Sequence, residues 1–450
     1  MRKLIAFACV LWAMPLIVNN LTDSIYLGGE VQAADEKKKK KTRKVPAMRE
    51  QTYKRLAEAQ VMIDPDSAPR EEGEPAPEPK GTPQDAVVLL LKLNERRGLN
   101  SYEHAQVWNT LAFAYYTLED TPNTIKAYEM VLAQGTITEA LEQSVVRALF
   151  QLFYSQENFV KSIRYIERWE AIRDMPDAGV TFIKSTAYYH LDDFDNALKF
   201  ALRVEEIALE QQRTIKERWW YLQVVLYNEL TDHEKVVSVL EKLIINYPKK
   251  QYWMHLAGMY GEMNEEGKAL SAYYAAYTQD MFTKETEIVM LSQRLLNAEV
   301  PFEAASVLEK GFKEGIIEEN EKNLKLLATA YTMSQDMSKA IDAWRDATKF
   351  TDEGDLHYRL AQALANEDRH KEAVKSYEDA IDVGDLKNAG DVNFWYGISL
   401  MQLENWDKAT SAFRAASKRD KKMKKQAGQY IRYIKGEKRR QEELRKMLES

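Results

Sequence analysis

The sequence predicts an all-α chain: a solenoid of about nine to ten helix hairpins with a C-terminal capping helix. Three observations predict it. A small or modest residue recurs at Thr124, Ser162, Ala197, Val236, Ala269, Ala304, Ala340, Ala373 and Ala409, at steps of 33 to 39 residues. Three further columns keep register with it. Twelve residues earlier stand Ala112, Ser185, Ala257, Ser292, Ala328, Ala361 and Gly397; four later stand Tyr128, Ile166, Leu240, Tyr273, Leu308, Trp344, Tyr377 and Phe413; seven later stand Ala276, Ala347, Ala380 and Ala416. Alternating β-branched runs bounded by Asn-Gly or Asp-Gly turns are absent. Small residues fit where two helices cross, and large ones fill the holes beside them. A grid with this period is a stack of hairpins sharing one core.

Along the chain, residues 1–33 read as a secretory signal. Arg2 and Lys3 precede the uncharged stretch Leu4–Val18, and Val31-Gln32-Ala33 offers small residues for cleavage. An uncleaved inner-membrane anchor is the alternative, although the apolar run is short against the ~20 residues that cross a bilayer. Cys9 is the one cysteine, so the mature chain has no thiol, which suits an oxidising compartment such as the periplasm. Residues 34–50 read as a basic disordered arm. Residues 51–104 read as a degenerate helix pair, Tyr53–Met62 with Leu56 and Ala57 in register and Asp85–Arg97 with Ala86, Leu90 and Leu93. The Pro/Glu-rich insertion 64–83 between them cannot build a core. The regular array spans 105–417, and 418–450 reads as a basic capping helix.

Charge is segregated. Asp35–Arg55 holds ten Lys/Arg against three Asp/Glu, and Lys418–Ser450 thirteen against five. The whole chain is −7 and its first 34 residues are neutral, so the body Leu56–Ser417 carries −22. So acidic a body argues against nucleic acid as a partner. The run Lys37–Lys44 suits peripheral contact with an anionic membrane or an acidic partner, and equally a solvated tail.

Trp253, Leu256, Ala257, Tyr260, Ala269, Tyr273 and Ala276 resemble the tetratricopeptide repeat, as do Trp108, Leu111, Ala112 and Tyr115. This resemblance implies that the solenoid is a right-handed superhelix. Trp220, Tyr227 and Pro248 match its aromatic and terminal-proline positions. Phe150 and Val224 in place of a small crossing residue, and Gly311 in place of alanine, depart from the pattern and predict less regular packing there. The wider layout is similar to the periplasmic tetratricopeptide proteins associated with TonB–ExbB–ExbD systems. It combines a signal, a Lys-rich start with Val45-Pro46-Ala47-Met48-Arg49, a Pro/Glu excursion, the repeats and a basic end helix. That resemblance implies an accessory scaffold for energy-coupled uptake of iron complexes or similar nutrients. A cell-envelope assembly scaffold, for peptidoglycan synthesis or outer-membrane biogenesis, is the alternative.

No chemistry emerges from the titratable residues. The six histidines show no metal spacing. Gly261–Lys268 has the wrong spacing for a phosphate loop, and Asp192, Asp193 and Asp195 lack the glycine and glutamate of a calcium loop. No catalytic, metal or cofactor role is assigned, and the chain reads as a non-enzyme. The resemblance implies a concave surface lined by the first helix of each pair. Tyr116, Tyr154, Tyr189 and Asn228 project one residue past the aromatic column. Asn109, Arg147, Phe182 and Tyr221 stand one past the first large column. Together they suggest an aromatic ladder for a protein partner, a TonB, ExbB or ExbD component or a basic proline-rich segment, since such segments are pre-extended and dock on aromatic grooves. Packing between repeats is the competing role for these tyrosines. Osmotic shock should release a chain whose sequenced N-terminus is Ala34; an intact Met1 in the membrane pellet would favour the anchored form.

Overall fold

The computed structural model describes residues 43–67, 78 and 80–449. The expected signal, the lysine run Lys37–Lys41 and most of the Pro/Glu insertion lie outside the described residues. Those described contain twenty-one α-helices and no strand. The chain divides into two compact units. The first comprises the described residues to Glu157 with Arg164–Ile172, and the second Asn158–Ile163 with everything from Arg173 onward.

In the first unit, α1 (Glu50–Ile63) pairs with α2 (Pro83–Asn94), followed by α3 (Ser101–Thr117), α4 (Thr121–Ala133), α5 (Glu139–Ser155) and most of α6 (Phe159–Ile172). Thr82 caps α2 in a reciprocal box with Asp85, ahead of Pro83 in the first turn. On α1 the buried stripe is Thr52, Leu56, Ala59 and Ile63. The crossing residue of this pair is therefore Ala59 rather than the expected Ala57, which is only half-buried. Residues 43–49 of the expected arm are held against the repeats, as detailed below.

The second unit continues in hairpins: α7 (Ala178–Tyr189) with α8 (Phe194–Glu210), α9 (Glu217–Glu229) with α10 (His233–Asn246), and α11 (Lys250–Glu262) with α12 (Glu266–Thr278). Then come α13 (Glu285–Asn297) with α14 (Pro301–Lys313), α15 (Glu321–Met333) with α16 (Met337–Ala347), α17 (Gly354–Asn366) with α18 (His370–Val383), and α19 (Ala389–Gln402) with α20 (Trp406–Arg419). The 26-residue α21 (Lys424–Glu449) packs on α20. Each second helix also packs on the first helix of the following hairpin, so the core runs on from hairpin to hairpin within the unit.

The marker column lies at the centre of that core. Thr124, Ser162, Ala197, Val236, Ala304, Ala340, Ala373 and Ala409 are fully buried, and Ala269 nearly so. Where serine takes the crossing position on the first helix, it ties the hairpin directly. Ser185 Oγ donates to the Ala197 carbonyl at 2.6 Å, and Ser292 Oγ to the Ala304 carbonyl at 3.2 Å. At Gly397 a Cβ would stand 2.9 Å from Phe413 Cε1, so glycine lets that ring fill the crossing.

The hairpin turns share one geometry. Five residues before each marker stands a left-handed residue with φ of 55° to 63°: Glu119, Glu157, Asp192, Thr231, Asn264, Glu299, Gln335, Asp368 and Glu404. The next backbone N–H closes the first helix, as in Asp193 N donating to the Tyr188 carbonyl (3.0 Å) and Asp336 N to that of Tyr331 (3.0 Å). That same residue opens the second helix. Asp120, Asp193, Asp232 and Asp336 each accept a backbone N–H three residues on. The Asp192–Asp195 cluster is thus a turn and its cap.

The departures pack fully. Phe150 and Val224 are completely buried, with Trp169 edge-on to Phe150 at 6.3 Å. Gly311 is demanded by its surroundings, because a Cβ there would meet Ile317 Cδ1 at 2.5 Å. The expected irregularity is instead a local exchange, in which a loop isoleucine occupies the space alanine holds elsewhere. Gly311→Ala should therefore destabilise the chain by about 1–3 kcal/mol. Thr231→Gly should stabilise it by up to about 1 kcal/mol, since a β-branched residue is the least suited to φ of 58°. Denaturant unfolding with opposite signs for the two variants checks the turn and the crossing together.

Candidate partner-binding surface

The first unit already grips an extended segment. Residues 43–49, Arg-Lys-Val-Pro-Ala-Met-Arg, form neither helix nor strand. Their anchor is Glu103, a fully buried carboxylate in the first turn of α3. Asn100 caps that helix and exchanges backbone bonds with Glu103 in a reciprocal box. The carboxylate then accepts from Arg49 N (3.0 Å), Arg49 Nε (3.0 Å), Arg49 Nη2 (2.9 Å), Thr52 Oγ1 (2.7 Å) and Asn100 N (3.0 Å). Asn100 Nδ2 donates to the Ala47 carbonyl at 3.0 Å, and Met48 packs on the core of α1–α4. A second buried acid, Glu142 in the first turn of α5, accepts from Arg43 Nη1 at 2.5 Å and from Arg168 Nη2 at 2.7 Å.

The electrostatics agree with this geometry. Burial pushes the Glu103 carboxyl up, but the bonds from Arg49, Asn100 and Thr52 outweigh it and hold its pKa at about 2. Glu142 is likewise pushed up by burial and drawn below the ordinary carboxylate range by Arg168 and Arg43. Both acids also sit at the positive end of a helix.

The eight expected groove residues divide between the units. In the first unit Tyr116 and Arg147 are exposed, and Asn109 and Tyr154 partly so. In the second, Phe182 is buried in the core of α7–α9, with the Arg218 guanidinium 5.2 Å from its ring centroid. Tyr189 packs against Phe194 at 5.9 Å, and burial first, then Glu229 and Asp192, push its hydroxyl up. Tyr221 packs against Tyr252 at 6.2 Å, while Asn228 is exposed. Phe182 is thus a core residue and offers no accessible ring. Tyr189 and Tyr221 contribute to packing between helices while keeping partial exposure.

Glu103, Glu142 and Arg49 are not among the residues expected to bind, and Arg43, from the run expected to meet an anionic membrane or acidic partner, meets Glu142 of its own chain. Only the Asn100-x2-Glu103 capping box is visible in the sequence. Among the described residues no group of three or more His, Cys, Asp or Glu could hold a metal ion, and no helix is long and apolar enough to cross a membrane.

Residues 354–383, which are the hairpin of α17 and α18, match the tetratricopeptide repeat family. No curated protein matches the chain. Among solved structures it is similar to YrrB, described as a tetratricopeptide protein with an unusual peptide-binding site (20% identity, 40% of this chain and 91% of that one, TM-score 0.32). It is also similar to the TPR2AB domain of yeast Sti1 in complex with pHSP90 (14%, 65% and 96%, 0.28). A third is the C-terminal part of a repeat protein from Cytophaga hutchinsonii (15%, 61% and 95%, 0.33). These overlaps are too loose to bear on what the chain binds. The other hairpins from α3 to α20 share the turn and crossing geometry of the matched one.

Because the folded Glu103 pKa is depressed, its stabilisation is complete above about pH 4.5 and is lost as pH falls toward 2. Discounted for the half-exposed Arg49, it amounts to about 2 kcal/mol. Glu103→Gln should lower the melting temperature at neutral pH and flatten the acid limb below pH 4.5. An unchanged pH–stability profile would mean that the clasp contributes nothing.

Proposed function

We propose that this chain is a non-catalytic protein-interaction scaffold that holds extended basic segments, and that it serves in the periplasm as an accessory to a TonB-type energy-coupled transport system. Proteins built from tetratricopeptide repeats are interaction scaffolds, and a stack of hairpins offers long continuous surfaces rather than an enclosed pocket. The observation that carries the reading is the clasp on residues 43–49. That segment contains a proline between two arginines, and both arginines end on buried acids of the repeats. A partner segment of the same chemistry meets carboxylates that the fold holds ionised, on a body whose charge of −22 draws cations in.

The Pro/Lys-rich periplasmic linker of a TonB-like protein is the ligand this reading names. The resemblance of the whole layout supports it, as do the apparent export signal and the absence of cysteine after residue 9. Exposed Tyr116 and partly exposed Tyr154, on the same unit as the clasp, supply rings on which prolines dock.

Titrating the full chain with a synthetic Pro/Lys-rich peptide tests the binding chemistry. Binding should weaken about tenfold in Tyr154→Ala and fall further with added salt. It should tighten severalfold in Arg43→Ala, which vacates one bond to Glu142. Equal affinity in the parent and both variants, with melting curves showing them folded, would overturn the reading. Capture from cross-linked envelopes separates the settings: TonB, ExbB or ExbD components support the transport role, whereas peptidoglycan synthases or outer-membrane assembly factors would replace it with the envelope-assembly role.

A further inference from the structure

The last hairpin and α21 carry a second charged feature, opposite in sign to the body and in the other unit from the clasp. Residues 418–425 place Lys418, Arg419, Lys421, Lys422, Lys424 and Lys425 within eight positions, and Arg432 and Lys435 follow on α21. All eight are exposed. None of them joins an ion pair among the described residues, whereas farther along the helix Lys438 pairs with Asp407 at 2.7 Å and Arg440 with Glu437 at 2.7 Å. The single acid between 418 and 436 is Asp420, and its Oδ1 accepts the Lys422 backbone N–H at 2.8 Å.

The helix is held firmly by its other side. Ala427 and Ile434 are buried, and Tyr430 stacks on Phe413 at 5.2 Å and meets Phe394 edge-on at 5.5 Å. Trp406 Nε1 donates to Gln441 Oε1 at 3.1 Å. At ~100° per residue, Lys425 and Arg432 fall opposite these anchors, with Lys424 and Lys435 on the flank between. Gly428 and Gly436 share the outward side, and nothing lies within 4 Å of where their Cβ atoms would be. The outward face is thus basic and open at both glycines. Tyr433 stands 55% exposed at its rim, whereas Leu444 and Leu448, exposed past Gln441, lie on the anchored side of the helix.

We propose that this face docks on an anionic phospholipid surface, with the cations on the headgroups. A run of exposed, unpaired cations suits an extended anionic plane, whose headgroups can meet all of them at once. A nucleic acid of any length would run past this short basic patch into the field of a body carrying −22.

Flotation of the full chain with phosphatidylglycerol-containing vesicles, against pure phosphatidylcholine vesicles, tests this. The parent should float with the anionic vesicles only, and salt should release it. The triple variant Lys424→Glu, Arg432→Glu, Lys435→Glu should partition at least about tenfold less. The basic residues near the N-terminus are intact in this variant, so the loss reports on α21. Lys424→Gln, Arg432→Gln, Lys435→Gln gives the same readout should the charge reversal unfold the helix, as circular dichroism would reveal. Undiminished flotation of both triple variants, equal binding to neutral vesicles, or tighter binding to duplex DNA than to anionic vesicles would each overturn the proposal.

Discussion

Every hairpin in this chain depends on how closely its two helices approach at one point. The approach is set where the residue twelve before the marker faces the second helix, and nearly everything at that point is Ala, Ser or Gly. Ser185 and Ser292 show how little room remains, since their hydroxyls reach a backbone carbonyl of the opposite helix. With the backbones this near, the ring or branched side chain four residues past the marker can lie flat in the core. Tyr377 and Phe413 are almost wholly buried for that reason. Loss of the small residue would separate the helices and open a void beside each large one.

A second regularity follows at the other end of the first helices, where an acid stands in the first turn and answers the helix dipole. In the second unit these acids tie one hairpin to the next. Glu217 accepts from Lys249 Nζ at 2.7 Å, Glu285 from the Glu318 backbone N–H at 3.1 Å, and Asp355 from the Lys387 backbone N–H at 3.2 Å. In the first unit Glu103 and Glu142 take arginines from residues 43–49 instead. A device that elsewhere joins neighbouring repeats thus serves there to hold an extended segment. Binding of basic chain is in this sense a reuse of the array's own chemistry.

Much of the fold is legible because steric exclusion leaves few residue choices at the crossing, so Ala112, Ala257, Ala328 and Ala361 announce themselves by period. The turn is hidden. Its left-handed residue is never glycine in the nine hairpins, and Glu119, Thr231 and Gln335 share only polarity, so nothing in their identity marks the backbone they adopt. Gly311 is misleading alone, because its cause is Ile317, a loop residue six positions on. The binding chemistry is the least legible part. In a chain with 70 Asp and Glu, Glu103 and Glu142 differ from the others only by burial, which three-dimensional packing decides. The expected aromatic ladder fails at Phe182 for the same reason: position on the helix was readable, but the neighbour that covers it was not.

The central claim is that the repeats hold residues 43–49 through buried carboxylates and that this clasp shows the chemistry by which they hold a partner. Amide hydrogen exchange at Arg49 reads it most directly, because that N–H donates to Glu103 Oε1 and belongs to the residue just before α1 begins. Exchange about a hundredfold or more slower than in an unstructured peptide is expected, with the protection lost in Glu103→Gln while the helices of the second unit stay protected. Free exchange at Arg49 in the parent chain would contradict the account.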